Sequence, residues 1–189
     1  MKKLFALLTA LLLLGSAALA DSPVASYVAT KTLFATLCSA LDTAGIEYGQ
    51  ETEYDMCYFS IDLPCTTYLG SSVYYDVYAY EDGVNIITFL ETEIPQEHIN
   101  ETIRLCNHLS SSIYLGKFYM DPYYHEICYE VFIPINPADV RDYDKELIGD
   151  YIWAMTGILD EYQDYFLEVL VNGETADNVL AMWEADNAD

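Results

Sequence analysis

Three histidines are the side chains in this sequence best suited to proton transfer near neutral pH. They stand at His98, His108 and His125. His98 and His108 are ten positions apart on one predicted helix, on different turns, so they do not form a metal-binding pair of the HExxH type. No serine, cysteine or carboxylate stands at a recognised catalytic spacing from them. The sequence therefore predicts surface histidines and no catalytic residue, and we expect a protein that is not an enzyme.

Five cysteines form the second set of reactive side chains: Cys38, Cys57, Cys65, Cys106 and Cys128. Their number is odd, so at least one thiol stays free or pairs with another chain. The sequence contains no CxxC motif and no cysteine and histidine cluster with zinc spacing. We therefore expect buried or disulfide-bonded cysteines, with a pairing that the sequence leaves open.

Carboxylates are abundant, with 31 Asp and Glu residues. Asp160 and Asp164 share a helix face and are placed to bind calcium together with water. The sequence has no DxDxDG loop, however, and a chain so rich in acids contains such pairs by chance. No metal ligand and no cofactor is therefore predicted.

Tyrosine is the most unusual feature of the composition, with 18 residues. Alternation along one predicted strand places Tyr74, Asp76, Tyr78 and Tyr80 on one face, and Tyr75, Val77 and Ala79 on the other. An exposed face of tyrosines and a carboxylate suits stacking against sugar rings or holding a peptide by aromatic anchors. The alternative is a half-buried sheet face covered by a helix. Trp183 is a further candidate contact, because the C-terminal tail that carries it can occupy, as a strand or a helix, a groove between this sheet face and a helix.

The chain is strongly acidic, with a formal net charge of −24. Such a surface repels nucleic-acid phosphates and anionic lipid headgroups, so both are excluded as partners. Cationic ligands, divalent ions and basic protein segments remain permitted. Solubility outside the cell also accounts for a charge of this sign and size.

The first 20 residues read as a secretory signal peptide. Two lysines precede an apolar run over residues 4–14, and small residues stand at Ala18 and Ala20. The apolar run is shorter than the ~20 residues that a membrane-spanning helix needs. We expect cleavage before Asp21 and a mature protein that is secreted or held in the cell envelope.

The elements that position these side chains begin with a helix. Apolar residues at helical spacing run from Tyr27 to Leu41, and Gly45 supplies a left-handed stop. Three segments rich in tyrosine, valine and isoleucine follow and predict antiparallel strands: TEYDMCYFSIDL, SSVYYDVYAY and VNIITFLETE. The Asp82-Gly83 pair predicts a tight hairpin between the second strand and the third, because its left-handed preference matches the strand twist.

A second helix and two further strands precede a long helix. Pro95 opens the second helix, whose apolar positions extend to Leu109. The strands IYLGKFYMD and EICYEVFIPI then lead to large apolar residues spaced by three or four between positions 140 and 169. Asn136 can cap this helix and Gly173 can end it, which predicts a length of about 50 Å across a broad surface such as a sheet.

Together these elements predict an α+β domain, with an antiparallel five-stranded sheet and helices packed on one face. The predicted order is helix, three strands, helix, two strands and a long C-terminal helix. No break in composition divides residues 21–173, which form one predicted domain. Residues 174–189 form an acidic tail that can hold a short docked helix.

The second half of the sequence resembles the YbjN family, whose members share the fold of the type III secretion chaperones. The resemblance is carried by Asn107 and Leu109, by the strands YLGKFYMD and ICYEVFIPI, and by the late helix segment ILDEYQDYFLEVLVNG. In pattern and order it covers residues 27–173, and it includes no catalytic motif. It implies a noncatalytic protein-binding or regulatory module, often dimeric in the chaperone relatives. Those relatives are cytosolic, whereas this chain carries an export signal.

We therefore expect an exported, nonenzymatic protein-binding or regulatory module with a chaperone-like fold. Its partner is expected to be a protein or a peptide, and a homodimer is permitted. The candidate contacts are Tyr74, Asp76, Tyr78, Tyr80 and Trp183. The alternative function is a small envelope carbohydrate-binding module that uses the same tyrosine-rich sheet face.

Overall fold

The computed structural model describes residues 23–62, 72–90, 93–136 and 140–188. The predicted signal peptide, residues 1–20, lies outside these residues. The described chain forms an α+β fold in which four helices pack with one antiparallel sheet. The predicted fold class is therefore confirmed, while its strand count and element order need correction.

The elements follow one another as helix, four strands, helix, two strands and two helices. The helices are α1 (Pro23–Ala44), α2 (Ile99–Ser112), α3 (Tyr143–Leu170) and α4 (Ala176–Asp186). The strands are β1 (Gly49–Glu51), β2 (Met56–Asp62), β3 (Ser72–Ala79), β4 (Gly83–Leu90), β5 (Lys117–Met120) and β6 (Ile127–Pro134). Their order in the sheet is β1-β2-β3-β4-β6-β5, and all neighbours are antiparallel.

The prediction of five strands was wrong, because it missed β1. The sequence of β1, Gly-Gln-Glu, has no β-branched residue and no apolar alternation. This segment is therefore a strand because it pairs with β2, and not because of its intrinsic propensity. Residues 52–55, which were predicted to start the next strand, form the turn between β1 and β2. Asp55 has a left-handed φ of 50° in that turn and pairs with Lys31 of α1.

One face of the sheet builds the interior together with the helices. In β2 and β3 the buried pairs are Cys57 with Val77, Phe59 with Tyr75, and Ile61 with Val73. In β4 and β6 they are Val84 with Ile133, Ile86 with Val131, and Leu90 with Ile127. Buried side chains of all four helices belong to the same cluster, so the helices lie on this face.

The long helix α3 has 28 residues and is therefore about 42 Å long. It begins at Tyr143, so Asn136 does not cap it, and its predicted start at residues 137–139 lies outside the described residues. The Asp144 carboxylate instead accepts a hydrogen bond from the Arg141 backbone amide at 2.6 Å. At the other end, Gly173 has a φ of +71° and ends the helical segment as predicted.

The apolar stripe of α3 agrees only in part with the predicted spacing. Of the described side chains at that spacing within α3, four are buried: Met155, Tyr162, Phe166 and Val169. The other three, Leu147, Tyr151 and Ile158, are only partly buried, and the residue after each of them is buried instead: Ile148, Ile152 and Leu159. The stripe is thus wider than a single row, because the helix lies against a sheet and against other helices at once.

Candidate functional site

The sheet has a second face, which points away from the helices and which we call the open face. Strand register defines it, because side chains on paired residues share a face. Its centre is formed by Tyr58, Tyr74, Asp76, Tyr78, Asn85, Ile87, Phe89, Glu130 and Phe132. Lys117 and Tyr119 extend it on β5, and Glu51 and Asp62 lie toward the other edge. No helix in the described ranges packs over the centre of this face.

Three aromatic rings on the open face are about half exposed. Tyr58 and Tyr74 are each 49% exposed, and Phe132 is 47% exposed. A Cβ atom on Gly49 would stand 2.2 Å from the Tyr58 ring, and a Cβ atom on Gly83 would stand 2.6 Å from the Phe132 ring. The absent side chains of these glycines therefore make room for Tyr58 and Phe132 to lie against the neighbouring strand.

Gly83 makes room for the Phe132 ring, whereas the sequence predicted that it provides a left-handed turn. Its φ is not left-handed, and it is the first residue of β4 rather than part of a left-handed turn. The β3–β4 hairpin is closed by a hydrogen bond from the Tyr80 amide to the Gly83 carbonyl oxygen at 2.8 Å. A side chain at Gly83 would also meet the Ile133 carbonyl oxygen at 2.4 Å, so packing selects glycine here.

Asp76 lies at the middle of the open face, between Tyr58 on β2 and Ile87 on β4 in the strand register. Its side chain is partly buried, and burial raises the pKa of the Asp76 carboxyl. None of the described residues forms an ion pair or a hydrogen bond with this carboxylate. Asp76 is thus a partly desolvated charge that no cation in the described ranges compensates.

A polar network crosses the next strands. Asn85 Nδ2 donates a hydrogen bond to Glu130 Oε1 at 2.8 Å, and Glu130 Oε2 lies 2.8 Å from Lys117 Nζ. The Glu130 carboxylate therefore has partners at both oxygens. Asn85 is only 7% exposed, and its Oδ1 atom has no hydrogen-bond partner among the residues that the structure describes. Within those residues the network thus leaves this one acceptor on the open face unsatisfied.

The candidate contact residues that were predicted on β3 lie on the same face of the sheet. Tyr74, Asp76 and Tyr78 point to the open face, while Tyr75 points into the interior. Tyr80 follows the strand, and its ring centroid is 6.4 Å from that of Tyr78. Burial raises the pKa of Tyr78, and the nearby Asp76 carboxylate raises it further. The helix that the alternative interpretation placed over this face packs on the opposite one.

Trp183 lies elsewhere. It belongs to α4, which contacts α2 and α3, and its ring is partly buried against the interior cluster. The Glu101 carboxylate accepts a hydrogen bond from the Ala176 amide at 2.7 Å and so holds the start of this helix on α2. The structure therefore does not bring Trp183 to the groove that the sequence interpretation assigned to it.

Sequence reasoning missed the contributions of the other strands. Tyr58 and Phe132 join the open face through β2 and β6, and Asn85 and Glu130 join it through a bond between β4 and β6. Alternation was a usable signal for Tyr58, because it stands between the buried residues Cys57 and Phe59. The pairing of β4 with β6 gave no such signal, since 36 residues separate the two strands.

A shallow depression of about 500 Å³ lies between α1 and the start of α3. Its lining includes Lys31 and Lys145, two of the few cations in the chain. Lys31 pairs with Asp55, and Lys145 Nζ lies 3.6 Å from Asp142 Oδ1. Because both cations already have carboxylate partners, this depression is a weaker candidate than the open face.

The part of the chain that the structure describes contains neither a metal-binding cluster nor a membrane-spanning helix. No group of three or more His, Cys, Asp or Glu side chains there is arranged to hold a metal ion. No helix in the same ranges is long and apolar enough to cross a membrane. Of the two acids whose spacing could suit calcium, Asp160 accepts a hydrogen bond from Gln163 Nε2 through Oδ1 at 3.0 Å.

Comparison with family models, with curated proteins and with solved structures finds no match to this chain. The resemblance to the YbjN family therefore stays a prediction from the sequence pattern.

Proposed function

We propose that this chain is an exported, nonenzymatic binding module whose open face docks a basic segment of a partner protein. The observation that carries the proposal is Asp76, a partly buried carboxylate at the centre of an aromatic surface, with which no cation of the described residues pairs. A lysine or arginine side chain from a partner would supply the missing charge. Export is supported by the N-terminal sequence pattern.

Charge on the strands supports a basic partner. The described strands carry four carboxylates, and the register places all of them on the open face: Glu51, Asp62, Asp76 and Glu130. Lys117 is the one basic residue in the described strands, and Glu130 already pairs with it. The field at the face is therefore negative, which attracts cationic segments and increases their rate of association.

The aromatic rings support the same partner. Tyr58 and Tyr74 flank Asp76 and are each about half exposed, as is Phe132 on β6. Arginine and lysine interact favourably with the faces of such rings within about 6 Å. Aromatic anchors also dominate the binding energy of many protein interfaces. An arginine bound to Asp76 would contact the carboxylate and the neighbouring aromatic rings at the same time.

A second copy of the chain is a poorer occupant. Two open faces brought together would each carry four strand carboxylates against one lysine, so like charges would oppose one another. The carbohydrate-binding alternative uses the same rings, and a sugar hydroxyl could donate a hydrogen bond to Asp76, but a neutral sugar would not supply a positive charge. Glycan binding is therefore included as an outcome of the test.

The test is a selection of random ten-residue peptides on the immobilised mature chain. We expect enrichment of peptides rich in Lys and Arg, with affinities that fall as salt increases. Asp76→Asn should weaken the enriched peptides about tenfold, the loss of one close charge pair. Enrichment without basic residues, or basic peptides that bind Asp76→Asn equally well, would overturn the proposal.

Two tyrosine variants locate the binding surface. Tyr58→Ser combined with Tyr74→Ser removes two half-exposed rings from the open face. The matched control combines Tyr114→Ser with Tyr123→Ser, which are 107% and 89% exposed and lie in loops outside the strands. Binding should be lost in the first variant only, with both melting curves close to that of the parent. Retention of glycans on the parent, in place of peptides, would favour the carbohydrate-binding module.

A further inference from the structure

We propose that Cys38 and Cys57 form a disulfide bond that fastens α1 to β2. Their sulfur atoms lie 3.5 Å apart, although the two residues are 19 positions apart in the chain. Cys38 stands in the C-terminal half of α1, and Cys57 stands on the inward face of β2. This inference is independent of the function proposed for the open face.

The geometry requires only a small adjustment. A disulfide bond is about 2.05 Å long, so the two sulfur atoms need to approach by about 1.5 Å. Cys57 is held by the sheet, opposite Val77, and is 0% exposed. Cys38 is only partly buried and lies near Gln50, with Sγ 3.9 Å from Oε1. Rotation of the less confined Cys38 side chain can therefore supply the movement.

The other described cysteines do not offer a comparable pair. Cys106 is buried in the interior cluster on α2, whereas Cys128 is buried on the open face beside Tyr119. Burial, and to a smaller extent the nearby Cys128, raises the pKa of the Cys106 thiol. In the described part of the chain, however, neither Cys106 Sγ nor Cys128 Sγ contacts another sulfur atom. Cys65 lies outside the described residues. The structure therefore distinguishes one pair among the five cysteines that the sequence left without assignment.

The reaction is a two-electron thiol–disulfide exchange with a small oxidised disulfide such as oxidised glutathione. The Cys38 thiolate attacks the oxidant, releases one thiol and forms a mixed disulfide. The Cys57 thiolate then attacks Cys38 Sγ and releases the second thiol. Two electrons pass from the cysteines to the oxidant, and the two protons leave with the released thiols.

Burial determines when the second step is fast. It raises the pKa of the Cys57 thiol, and the neighbouring Cys38 raises it further, so little thiolate is present once β2 is packed. Attack by Cys57 is therefore faster before the interior closes. The bond is expected to form during folding, and it then holds together segments that Lys31 and Asp55 already link by an ion pair.

The test is peptide mapping of the purified chain after equilibration with oxidised glutathione. Free thiols are blocked with iodoacetamide in denaturant, and the chain is cut before each aspartate. The cuts before Asp42, Asp55, Asp62, Asp76, Asp82, Asp121 and Asp139 leave each cysteine in a different peptide. A linked pair of the peptides 21–41 and 55–61 is expected. Alkylated thiols at both positions, or a link from Cys57 to any other peptide, would overturn the proposal.

Thermal melting with and without reductant is a second test of the disulfide. A bond that closes a loop of this length is expected to raise Tm by about 6–12 °C in a chain of this size. Cys38→Ser should remove both the linked peptide and the effect of reductant. Cys106→Ser is the matched control, and it should keep both. An equal effect of reductant on Cys38→Ser would show that the shift has another source.

Discussion

The hydroxyl oxygens of Tyr75 and Thr156 lie 2.6 Å apart in the interior, where they join the inward face of β3 to the middle of α3. Thr156 also donates to the Ile152 carbonyl oxygen at 2.9 Å, so Tyr75 is the donor between the two hydroxyls. Burial raises the pKa of Tyr75 to about 12. The contact therefore stays a neutral hydrogen bond over the physiological pH range, and it fixes the position of the long helix along the sheet.

Removal of this hydrogen bond should destabilise the fold. Tyr75→Phe keeps the ring and leaves Thr156 bonded to its own helix, so the free energy of unfolding should fall by about 1 kcal/mol. The measurement is the urea midpoint of unfolding. Tyr74→Phe is the matched control, because the neighbouring ring is half exposed on the open face. Equal midpoints for Tyr75→Phe and the parent would contradict the role assigned to the contact.

Asp76 should make stability depend on pH. Because burial raises its folded-state pKa above the ordinary value of 3.8, the folded chain binds this proton more tightly than the unfolded chain. Stability from this group is complete below that value and is lost as pH rises through the folded pKa. Asp76→Asn should therefore be more stable than the parent at pH 7.

The difference between Asp76→Asn and the parent should disappear in acid, where both side chains are neutral. Asp164→Asn is the control, because its carboxyl is exposed on α3. Urea unfolding at pH 7 and at pH 3 gives the comparison. A gain in stability that is the same at both pH values would show that the substitution acts through packing rather than through charge.

Two glycines should respond in opposite directions to alanine. Gly157 on α3 has open space where an added methyl group would stand, and Gly157→Ala should raise the free energy of unfolding by about 0.5–1 kcal/mol, the usual gain at a helix interior. Gly83→Ala should lower it, because the methyl group would collide with the Ile133 carbonyl oxygen and the Phe132 ring. The two urea midpoints test this, and a stabilising Gly83→Ala would contradict the packing described for Phe132.

The docking of α4 should depend on Glu101. This carboxylate accepts from the Ala176 amide, and Arg104 joins it to Asp177, with Arg104 Nη2 2.6 Å from Asp177 Oδ1. Glu101→Ala removes the acceptor at the helix start, so α4 should open about fivefold more often, as expected for about 1 kcal/mol. Hydrogen exchange over residues 174–187 measures this. Glu97→Ala, at an exposed position, is the control, and equal exchange in both variants would contradict the assignment.

The elements that the sequence predicted well are those whose residues carry their own signals. Gly45 and Gly173 end α1 and α3 in the left-handed conformation, as their positions predicted. The hairpin at Asp82-Gly83 was predicted correctly as a connection, but for a different reason. The ring that excludes a side chain at Gly83 belongs to Phe132, which lies far along the chain. The residues around Gly83 therefore do not predict this contact.

The open face could be predicted only in part for the same reason. Alternation within β3 is a property of neighbouring residues, and it separated Tyr74 from Tyr75. The polar network of Asn85, Glu130 and Lys117 depends on three strands that meet after the chain has made a crossover through α2. Such contacts between distant segments arise from sheet order, which hydrophobic patterns constrain weakly.

The short outer strands of the sheet limit the backbone groups that another chain could pair with. In the described sheet, β1 has three residues and β5 has four, and β5 begins with a lysine. Outer strands of this length offer few free amides and carbonyls, so another chain gains little by extending the sheet sideways. Contact with the described sheet is therefore expected through the side chains of its open face rather than through an added strand.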